Sequence, residues 1–397
     1  MNITLVLVFL AACSGEKKPD TAMTVVEFSS PADSLTAEPH LFTDSWGNVL
    51  LSWIEKQKDT SRFWFSRLSG TTWSTPTLIA KGSTWFVNWA DYPMISSDGG
   101  ANYVAHLLEK SGKSTYAYDV KVYLSNDSGK TWKSPFVLHD DGKQAEHGFV
   151  TLIPYGEKIF VSWLDGRNTA MEGMENMDHS GHHGAMSLRA AVIDYQGNKS
   201  GEWELDNKTC DCCQTTAAIT DDGPIVIYRD RTDAEIRDLS IVRYVNGQWT
   251  APKPVHSDNW KIAGCPVNGP RVSVSANRVA IAWFTGATEP AHVNVVFSED
   301  GGATFGEAMT IDEGQANGRV DIEWIDEHRC VVSWMEGALI KAAIVHSDGE
   351  REGVVTVATS SEARSSGFPQ MTRSGNLLVF AWTDDVAKRV KVASISI

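Results

Sequence analysis

The chain has 397 residues and carries 50 acidic against 35 basic side chains, a formal net charge of −15 at pH 7. Proteins bind phosphate backbones through basic patches, so this charge argues against a nucleic-acid partner. Helical periodicity is hard to find, whereas alternating runs such as Val120 to Leu124 and Val293 to Phe297 recur, which predicts an all-β protein. The length would suit two ordinary domains, but all-β chains of this size fold as one.

The chain begins with a largely apolar stretch that ends in Leu10-Ala11-Ala12-Cys13. This resembles the lipobox of bacterial lipoproteins, in which small residues precede the cysteine that receives the lipid. The resemblance implies a signal peptide over residues 1–13, lipidation at Cys13, and a polar tether over residues 14–22. A plain signal peptide is the alternative, because the stretch lacks the usual Lys or Arg. Ser14 after the cysteine favours the outer membrane, so we expect a lipid-anchored protein of the bacterial cell envelope.

From residue 23 onward a β-rich segment recurs that reads apolar, apolar, apolar or small, aromatic, any residue, acid. The copies lie roughly 50 to 65 residues apart, which is the length of one four-stranded propeller blade. They predict a single β-propeller over residues 23–397 with seven four-stranded blades, and a six-bladed ring is the alternative. The aromatic or equivalent positions of the copies are Trp53, Leu107, Trp163, Tyr228, Trp283, Trp334 and Trp382.

A second pattern, Ser-x-Asp-x-Gly-x-Thr-aromatic, occurs at residues 125–132 and 298–305. Asp127 and Asp300 suit tight hairpin turns in which a carboxylate accepts backbone N–H bonds. The pattern resembles the Asp-box (BNR) motif of the sialidase-like propeller superfamily, and the resemblance implies a structural role on the outer rim. Eroded copies lie at Ser66 to Trp73, Gly197 to Trp203 and Asn246 to Trp249.

The two ends of the predicted propeller fit one blade. Val390 to Ile397 suits the third strand of the last blade, and Met23 to Phe28 suits a free strand before the first. A ring that stayed open would expose an unpaired strand edge to aggregation. We therefore predict that the N-terminal strand completes the last blade.

One face of the predicted ring collects unusual side chains. In a propeller, the loops that lead into the innermost strands share a face, here called the axial face, with the loops that join second and third strands. Sulfur ligands select Cu(I) and imidazole suits copper or zinc, so this mixture predicts a metal site with copper as the cofactor. The candidate ligands are Cys210, Cys212 and Cys213 before the fourth blade, Cys265 before the fifth, His147 before the third, and Met171, Met174, Met177, His179, His182 and His183 in a long third-blade loop.

Structural disulfides are the alternative use of these cysteines, because such bonds are common in exported proteins. A bond from Cys212 or Cys213 to Cys265 would join adjacent blades, whereas adjacent cysteines strain the bridge geometry. An alternative interpretation of the Met/His-rich loop is a solvated insertion without a ligand. Cys330, within a predicted second strand, suits a buried apolar filler.

Resemblance to the sialidase-like superfamily also raises a catalytic alternative. Its enzymes clamp a substrate carboxylate with an Arg triad, the first Arg lying in an Arg-Ile-Pro motif. This chain reads Glu38-Pro39-His40-Leu41 there, and its last tyrosine, Tyr244, comes too early to be the nucleophile of that family. An exo-sialidase-type glycoside hydrolase is therefore an alternative to the metal-binding propeller.

A non-catalytic glycan-binding propeller is a further alternative, since Trp85, Trp89 and Tyr92 before the second blade suit stacking on sugar rings. The expected partners are thus the membrane, through the lipid anchor, and a metal ion or a glycan. Carrier, sensor, sialidase-type enzyme and metal-dependent enzyme all stay open at this point. The arginines that suit an anionic or glycan ligand are Arg167, Arg229, Arg231, Arg271 and Arg319.

Overall fold

The computed structural model describes residues 23–169 and 184–397 of the chain. Within these residues the strands pair into seven separate sheets, each built mainly from strands that follow one another in the sequence. A short 3-10 helix spans Arg364–Ser366. The sheets are the blades of a seven-bladed β-propeller, which confirms the predicted fold and makes the six-bladed alternative wrong.

The strands are numbered β1 to β30 in chain order. Blade 1 contains β2 (Thr36–Thr43), β3 (Val49–Gln57) and β4 (Thr60–Ser69), with β5 (Thr72–Trp73) and β6 (Thr77–Gly82) both on β4. Blade 2 contains β7 (Met94–Ser97), β8 (Tyr103–Lys110), β9 (Tyr118–Ser125) and β10 (Phe136–Val137). Blade 3 contains β11 (His147–Tyr155), β12 (Lys158–Asp165), β13 (Ser187–Asp194) and β14 (Lys199–Asp206).

The remaining four blades follow the same order. Blade 4 contains β15 (Thr216–Thr220), β16 (Gly223–Arg229) and β17 (Leu239–Val245), with β18 (Gln248–Trp249) and β19 (Lys253–His256) on β17. Blade 5 contains β20 (Arg271–Ser275), β21 (Arg278–Thr285), β22 (His292–Ser298) and β23 (Met309–Thr310). Blade 6 contains β24 (Ala316–Trp324), β25 (Arg329–Glu336), β26 (Leu339–His346) and β27 (Val355–Thr359), and blade 7 contains β28 (Gln370–Ser374), β29 (Leu377–Asp384), β30 (Arg389–Ser396) and β1 (Val25–Phe28).

The second strand of each blade forms the core, because a neighbouring blade covers each of its faces. Its sequence is therefore apolar almost throughout instead of alternating, as in β12. The repeated aromatic position lies in these strands, and Trp163, Trp283 and Trp334 are fully buried there. Among the described residues, seven clusters of buried apolar side chains occupy the seven interfaces between neighbouring blades.

The N-terminal strand closes the ring. β1 pairs antiparallel with β30, with Val25 opposite Ile395 and Phe28 opposite Val392. It thus provides the fourth strand of blade 7, as the sequence predicts, and it covers an edge that would otherwise expose unpaired N–H and C=O groups.

The two Ser-x-Asp turns join third and fourth strands and build the outer part of their blades. Asp127 accepts hydrogen bonds from the Thr131 amide (2.9 Å) and hydroxyl (2.6 Å), and these bonds lower the pKa of its carboxyl to about 2. Gly129 takes a φ of 79°, where a side chain would be strained. Asp300 makes the matching pair of bonds to Thr304. The carboxylates therefore serve the turns, as predicted.

The axial face is defined by strand register. In blade 3, His147 at the start of β11 lies opposite Asp165 at the end of β12, so both neighbouring loops lie on one face. Gln214, just before β15, links three blades at this face: its amide donates to the Ala90 carbonyl (2.6 Å) and its carbonyl accepts from the Gly269 amide (3.0 Å). The loops that lead into blades 2, 4 and 5 are thus held together around the axis.

The predicted signal peptide, lipidation site and tether, residues 1–22, lie outside the described residues and stay predictions. In the part of the chain that the structure describes, no helix is long and apolar enough to cross a membrane.

Candidate metal centre

Three thiols lie together in the loop that leads from blade 3 into blade 4. The Sγ of Cys210 is 3.9 Å from that of Cys212 and 3.8 Å from that of Cys213, and all three lie within 4.8 Å of one another. The Cys210 amide donates to the Arg229 carbonyl (3.0 Å), which ties the loop to the end of β16. Because Gln214 holds the other end of the loop, this three-sulfur cluster is fixed from both sides.

Exposure to solvent increases across the four axial cysteines. Cys210 and Cys213 are buried, Cys212 is half-buried, and Cys265, in the loop that leads into blade 5, is exposed. Cys265 adjoins the cluster, since the Cys212 thiol donates a hydrogen bond to its sulfur and thereby lowers its pKa. All five cysteines of the described residues are free thiols, so the predicted alternative of a bridge to Cys265 is not formed in this structure.

Positive charge adjoins the buried end of the cluster. The Arg237 guanidinium donates through Nη1 to the Cys210 sulfur at 3.2 Å, while its Nη2 donates to Glu235 at 2.7 Å. Hydrogen bonding with the Cys212 and Cys213 thiols, together with the Arg237 charge, holds the pKa of the Cys210 thiol well below its usual range. Burial instead raises the pKa of the Cys213 thiol. The surroundings therefore favour a thiolate at Cys210 next to neutral thiols at Cys212 and Cys213.

Arg229 adds a second buried cation at the same place. Its side chain is 1% exposed, and it donates to the backbone carbonyls of Asn268 (3.0 Å), Arg237 (2.6 Å) and Phe284 (2.8 Å). None of these partners is an anion. The Arg229 charge also favours the ionised form of the Cys210 and Cys213 thiols. A buried charge without an opposite charge is costly, so negative charge on the sulfurs is favoured.

The spacing of the sulfurs fits a metal ion. Metal–sulfur bonds of about 2.3 Å in tetrahedral or trigonal geometry separate the sulfurs by about 3.8–4.0 Å. The two distances at Cys210, 3.8 and 3.9 Å, agree with that value. Thiolate ligands select soft or borderline ions such as Cu(I) and Zn²⁺ over calcium or magnesium.

His147, the imidazole predicted as a fixed ligand, lies in a different group. Its Nδ1 donates to the carbonyls of Ala145 (3.1 Å) and Tyr118 (3.2 Å), and its Nε2 is 3.0 Å from Oδ2 of Asp141 and 3.7 Å from Oδ1 of Asp165. Backbone carbonyls only accept, so Nδ1 carries a proton, and Nε2 faces two carboxylates that a metal at this position would have to displace.

The surroundings of His147 complete a network that we call the His/Asp cluster: His139, His147, Asp141 and Asp165. The two imidazole rings stack at 3.6 Å with 8° between their planes, so the lone pairs of their nitrogens run parallel and do not converge, although Asp119, His139 and His147 place donor atoms within 4.8 Å of one another. His139 bonds Asp141 through Nδ1 (2.7 Å), and the Arg167 guanidinium binds both Asp165 oxygens at 2.8 Å. Among the described residues, no histidine shares a group with the three sulfurs.

The remaining predicted ligands, Met171, Met174, Met177, His179, His182 and His183, lie outside the described residues. The description of the chain stops at Thr169 and resumes at Gly184. Close to that point the Met186 carbonyl accepts the Thr209 amide (2.9 Å), one residue before Cys210. The C-terminal flank of the predicted Met/His loop therefore contacts the cysteine loop directly.

Two of the arginines proposed for an anionic ligand are bound to acids. Arg167 forms the two bonds to Asp165 described above. Arg231 donates to Asp211 through Nη1 (3.0 Å) and to Glu235 through Nε (3.2 Å) and Nη2 (3.0 Å). These guanidinium groups stabilise the axial loops on which they lie.

The other predicted arginines contact neutral groups. Arg319 donates through Nη1 to the Ser366 hydroxyl (2.7 Å) and the Gly367 carbonyl (2.9 Å) and lies 5.4 Å from the Trp89 ring; burial lowers its pKa to about 10. Arg271 donates to the Tyr92 hydroxyl. Arg229 binds carbonyls only, so these three side chains also serve the protein's own structure.

The aromatic side chains proposed for sugar stacking are engaged in packing. Trp89 stacks on Phe368 of blade 7 at 5.7 Å with 13° between the rings, and Tyr92 is buried in the same apolar cluster. Trp85 packs against the apolar interface of blades 1 and 2. These contacts leave the rings as interior packing groups on the axial side.

The sequence-based prediction missed Arg237, the side chain that contacts the thiolate. A usable signal was present, because residues 230–238 join the second and third strands of blade 4 and such loops lie on the axial face. Asp211, between the cysteines, was also missed as the partner of Arg231.

No family model matches this chain, and no curated protein matches it. Among solved structures, the fold is similar to a Hadza microbial sialidase, Hz136, with a TM-score of 0.43 and 12% identity over 77% of this chain and 66% of that one. It is also similar to the AfRom2 CNH domain (TM-score 0.49, 12% identity, 94% and 99% covered). A Mycobacterium tuberculosis puromycin-hydrolyzing peptidase gives a TM-score of 0.50 and 12% identity over 92% of this chain and 55% of that one. The likeness at these identities is one of propeller fold alone.

Proposed function

We propose that this chain is a lipid-anchored envelope propeller of the Asp-box superfamily that binds copper, as Cu(I), through the sulfurs of its axial face. The observation that carries the proposal is the three-sulfur cluster: three free thiols within 4.8 Å of one another, with Cys210 at 3.8 and 3.9 Å from the other two and beside a buried arginine. The bonded turns at Asp127 and Asp300 support the superfamily assignment. The lipobox-like Leu10-Ala11-Ala12-Cys13 supports the anchor.

Charge favours a metal thiolate over neutral thiols or a disulfide. Three thiolates around Cu(I) carry a net charge of −2, because the ion supplies one positive charge. Arg229 provides a buried positive charge with no anionic partner, and Arg237, which also pairs with Glu235 at 2.7 Å, provides a second one at the same place. Neutral sulfurs would leave the Arg229 charge facing carbonyl oxygens alone, which is costly in a buried environment.

The number of ligands favours copper over zinc. Zinc in structural sites takes four ligands, commonly from cysteine and histidine. The three-sulfur cluster contains no histidine among the described residues, and the fourth nearby sulfur, Cys265, is exposed. A set of three thiolates with no nitrogen donor suits Cu(I), and methionines of the neighbouring loop would add soft ligands of the same class.

The test is titration of the reduced protein with Cu(I) under anaerobic conditions, with metal content and thiols counted on the same sample. We expect one Cu(I) for each chain. Cys213→Ser should weaken binding by more than about 100-fold, which exceeds the usual loss for an outer-shell partner. Cys330→Ser is the matched control, because Cys330 is equally buried but lies in β25 of blade 6. Equal binding by Cys213→Ser and the control would overturn the copper proposal.

The anchor is tested separately. Cys13→Ala should move the protein from the membrane fraction to the soluble fraction without changing its Cu(I) affinity. Membrane retention of the variant after washing without detergent would contradict the lipid anchor.

A further inference from the structure

The axial sulfurs form a connected path from the interior to solvent. Cys210 and Cys213 are buried, and Cys212 contacts Cys210 at 3.9 Å. Cys265, the exposed member, lies on the neighbouring loop that leads into blade 5 and interacts with the Cys212 thiol. The sulfurs therefore extend from the buried Cys210 and Cys213 through the half-buried Cys212 to Cys265 at the solvent side.

The segment that carries Cys265 is held at both ends and open between them. At one end, the Ile262 amide donates to the Glu235 carbonyl (3.0 Å). At the other end, the Asn268 carbonyl accepts two bonds from Arg229 (3.0 and 3.2 Å). Gly264 between these points is exposed, and a side chain added there would meet only Ile262, at 3.8 Å. A partner molecule thus has free space around the Cys265 thiol.

We propose that Cys265 is an exchange ligand, through which the site passes Cu(I) to a thiolate-bearing acceptor. This inference rests on the proposed function and adds that the site transfers copper and does not only store it. In the exchange, a bond forms between copper and the acceptor sulfur while the bond between copper and a protein sulfur breaks. Copper stays Cu(I), no electron moves, and the released protein thiolate takes up the proton that the acceptor thiol gave.

The positions of the buried sulfurs explain why an exposed fourth sulfur is needed. An acceptor cannot bring its own sulfur against Cys210 or Cys213, because both are covered by the protein. Cys212 lies 3.9 Å from Cys210 and interacts with Cys265, so an ion shared between Cys212 and Cys265 would lie at the accessible end of the path. Loss of Cys265 should therefore slow transfer more than it weakens equilibrium binding.

The test compares the wild type with Cys265→Ser and with the Cys330→Ser control, each loaded with Cu(I). Equilibrium competition measures the affinity for Cu(I). Stopped flow measures the rate of transfer to glutathione, the thiolate acceptor, while excess bicinchoninate reports the copper that leaves the protein. We expect the Cys265→Ser variant to keep one Cu(I) and transfer it about tenfold more slowly, which corresponds to about 1.4 kcal/mol in the barrier. In loaded wild-type protein, iodoacetamide should still alkylate Cys265 while the three-sulfur cluster is protected.

The outcomes separate the two proposals. If the wild type takes up no Cu(I), the proposed function fails and this inference fails with it. If the wild type binds but Cys265→Ser transfers at the wild-type rate, only the exchange role is overturned. If Cys265 is protected from alkylation and its variant loses the copper, Cys265 is a permanent ligand, which also overturns the exchange role.

Discussion

Two groups of metal-capable side chains lie on the axial face, and they differ in what their donor atoms already do. In the His/Asp cluster, His147 directs both ring nitrogens to oxygen acceptors, and Asp165 holds a bidentate arginine. In the three-sulfur cluster, the donors contact one another and one guanidinium. A list of residue types would rank the first group above the second, because it offers more ligands.

The difference shows that donor availability matters more than donor number. A metal entering the His/Asp cluster would have to displace the internal bonds of its histidines and carboxylates. A metal entering the three-sulfur cluster would replace weak thiol contacts, and the Arg237 charge would stabilise the anionic thiolates that bind it. We therefore propose that the first group stabilises the fold and that the second binds the metal.

The variant His147→Ala is the strongest test of this comparison. The imidazole is fully buried, bonds Asp141 and two backbone carbonyls and stacks on His139, so its removal leaves a cavity and unpaired buried polar groups. We expect the free energy of unfolding to fall by about 3–5 kcal/mol, measured by chemical denaturation. Cu(I) affinity of the folded protein should stay within about threefold of the wild type. A large loss of copper binding at unchanged stability would place His147 in the metal site.

Arg237→Gln tests whether the positive charge of Arg237 strengthens copper binding by the sulfurs. The variant removes the donor that lies 3.2 Å from the Cys210 sulfur while keeping a side chain able to hydrogen-bond. We expect Cu(I) affinity to fall by about 10- to 100-fold, as for other outer-shell partners. Arg237→Lys keeps the charge and should recover part of the loss, and Arg243→Gln on the outer side of blade 4 is the control. Equal affinities in all four proteins would show that the charge is irrelevant to binding.

Glu146 lies between the two groups. Of the three tests, its titration is expected to have the smallest effect, on the unfolding free energy. Burial raises the pKa of its carboxyl from 4.5 to about 7, against the lowering effect of the Tyr118 hydroxyl bond (2.6 Å). Its stabilising contribution is therefore complete below pH 4.5 and is lost as the pH rises through 7. We expect the unfolding free energy of the wild type to fall relative to Glu146→Gln by about 1 kcal/mol per pH unit in that window. Parallel pH profiles for the two proteins would contradict this.

Much of the fold follows from sequence because its signals are local and repeated. The aromatic positions of the second strands, such as Trp163 and Trp334, predict the blades, and the apolar segment at Val25 predicts the closing strand. The grouping of Cys210, Cys212 and Cys213 follows from their shared loop. Each of these inferences needs only spacing along the chain.

The details of the site depend on contacts that spacing does not encode. His147 is a plausible ligand by residue type, but Asp141, from an irregular loop, occupies its Nε2. Arg237 meets Cys210 only because two loops of neighbouring blades adjoin at the axis. Whether cysteines are bridged or free depends on distances between loops, and the sequence leaves that open for Cys265.

Closure of the ring by β1 also governs the order of assembly. Val25 pairs with Ile395, so the first strand waits for almost the whole chain before it finds its partner. Contacts across so long a stretch of chain are slow to form and leave strand edges exposed meanwhile. Blades 1 to 6 can assemble progressively as the chain emerges, whereas blade 7 is completed last. Truncation within residues 389–396 should therefore yield an unclosed, aggregation-prone ring even though every axial cysteine is still present.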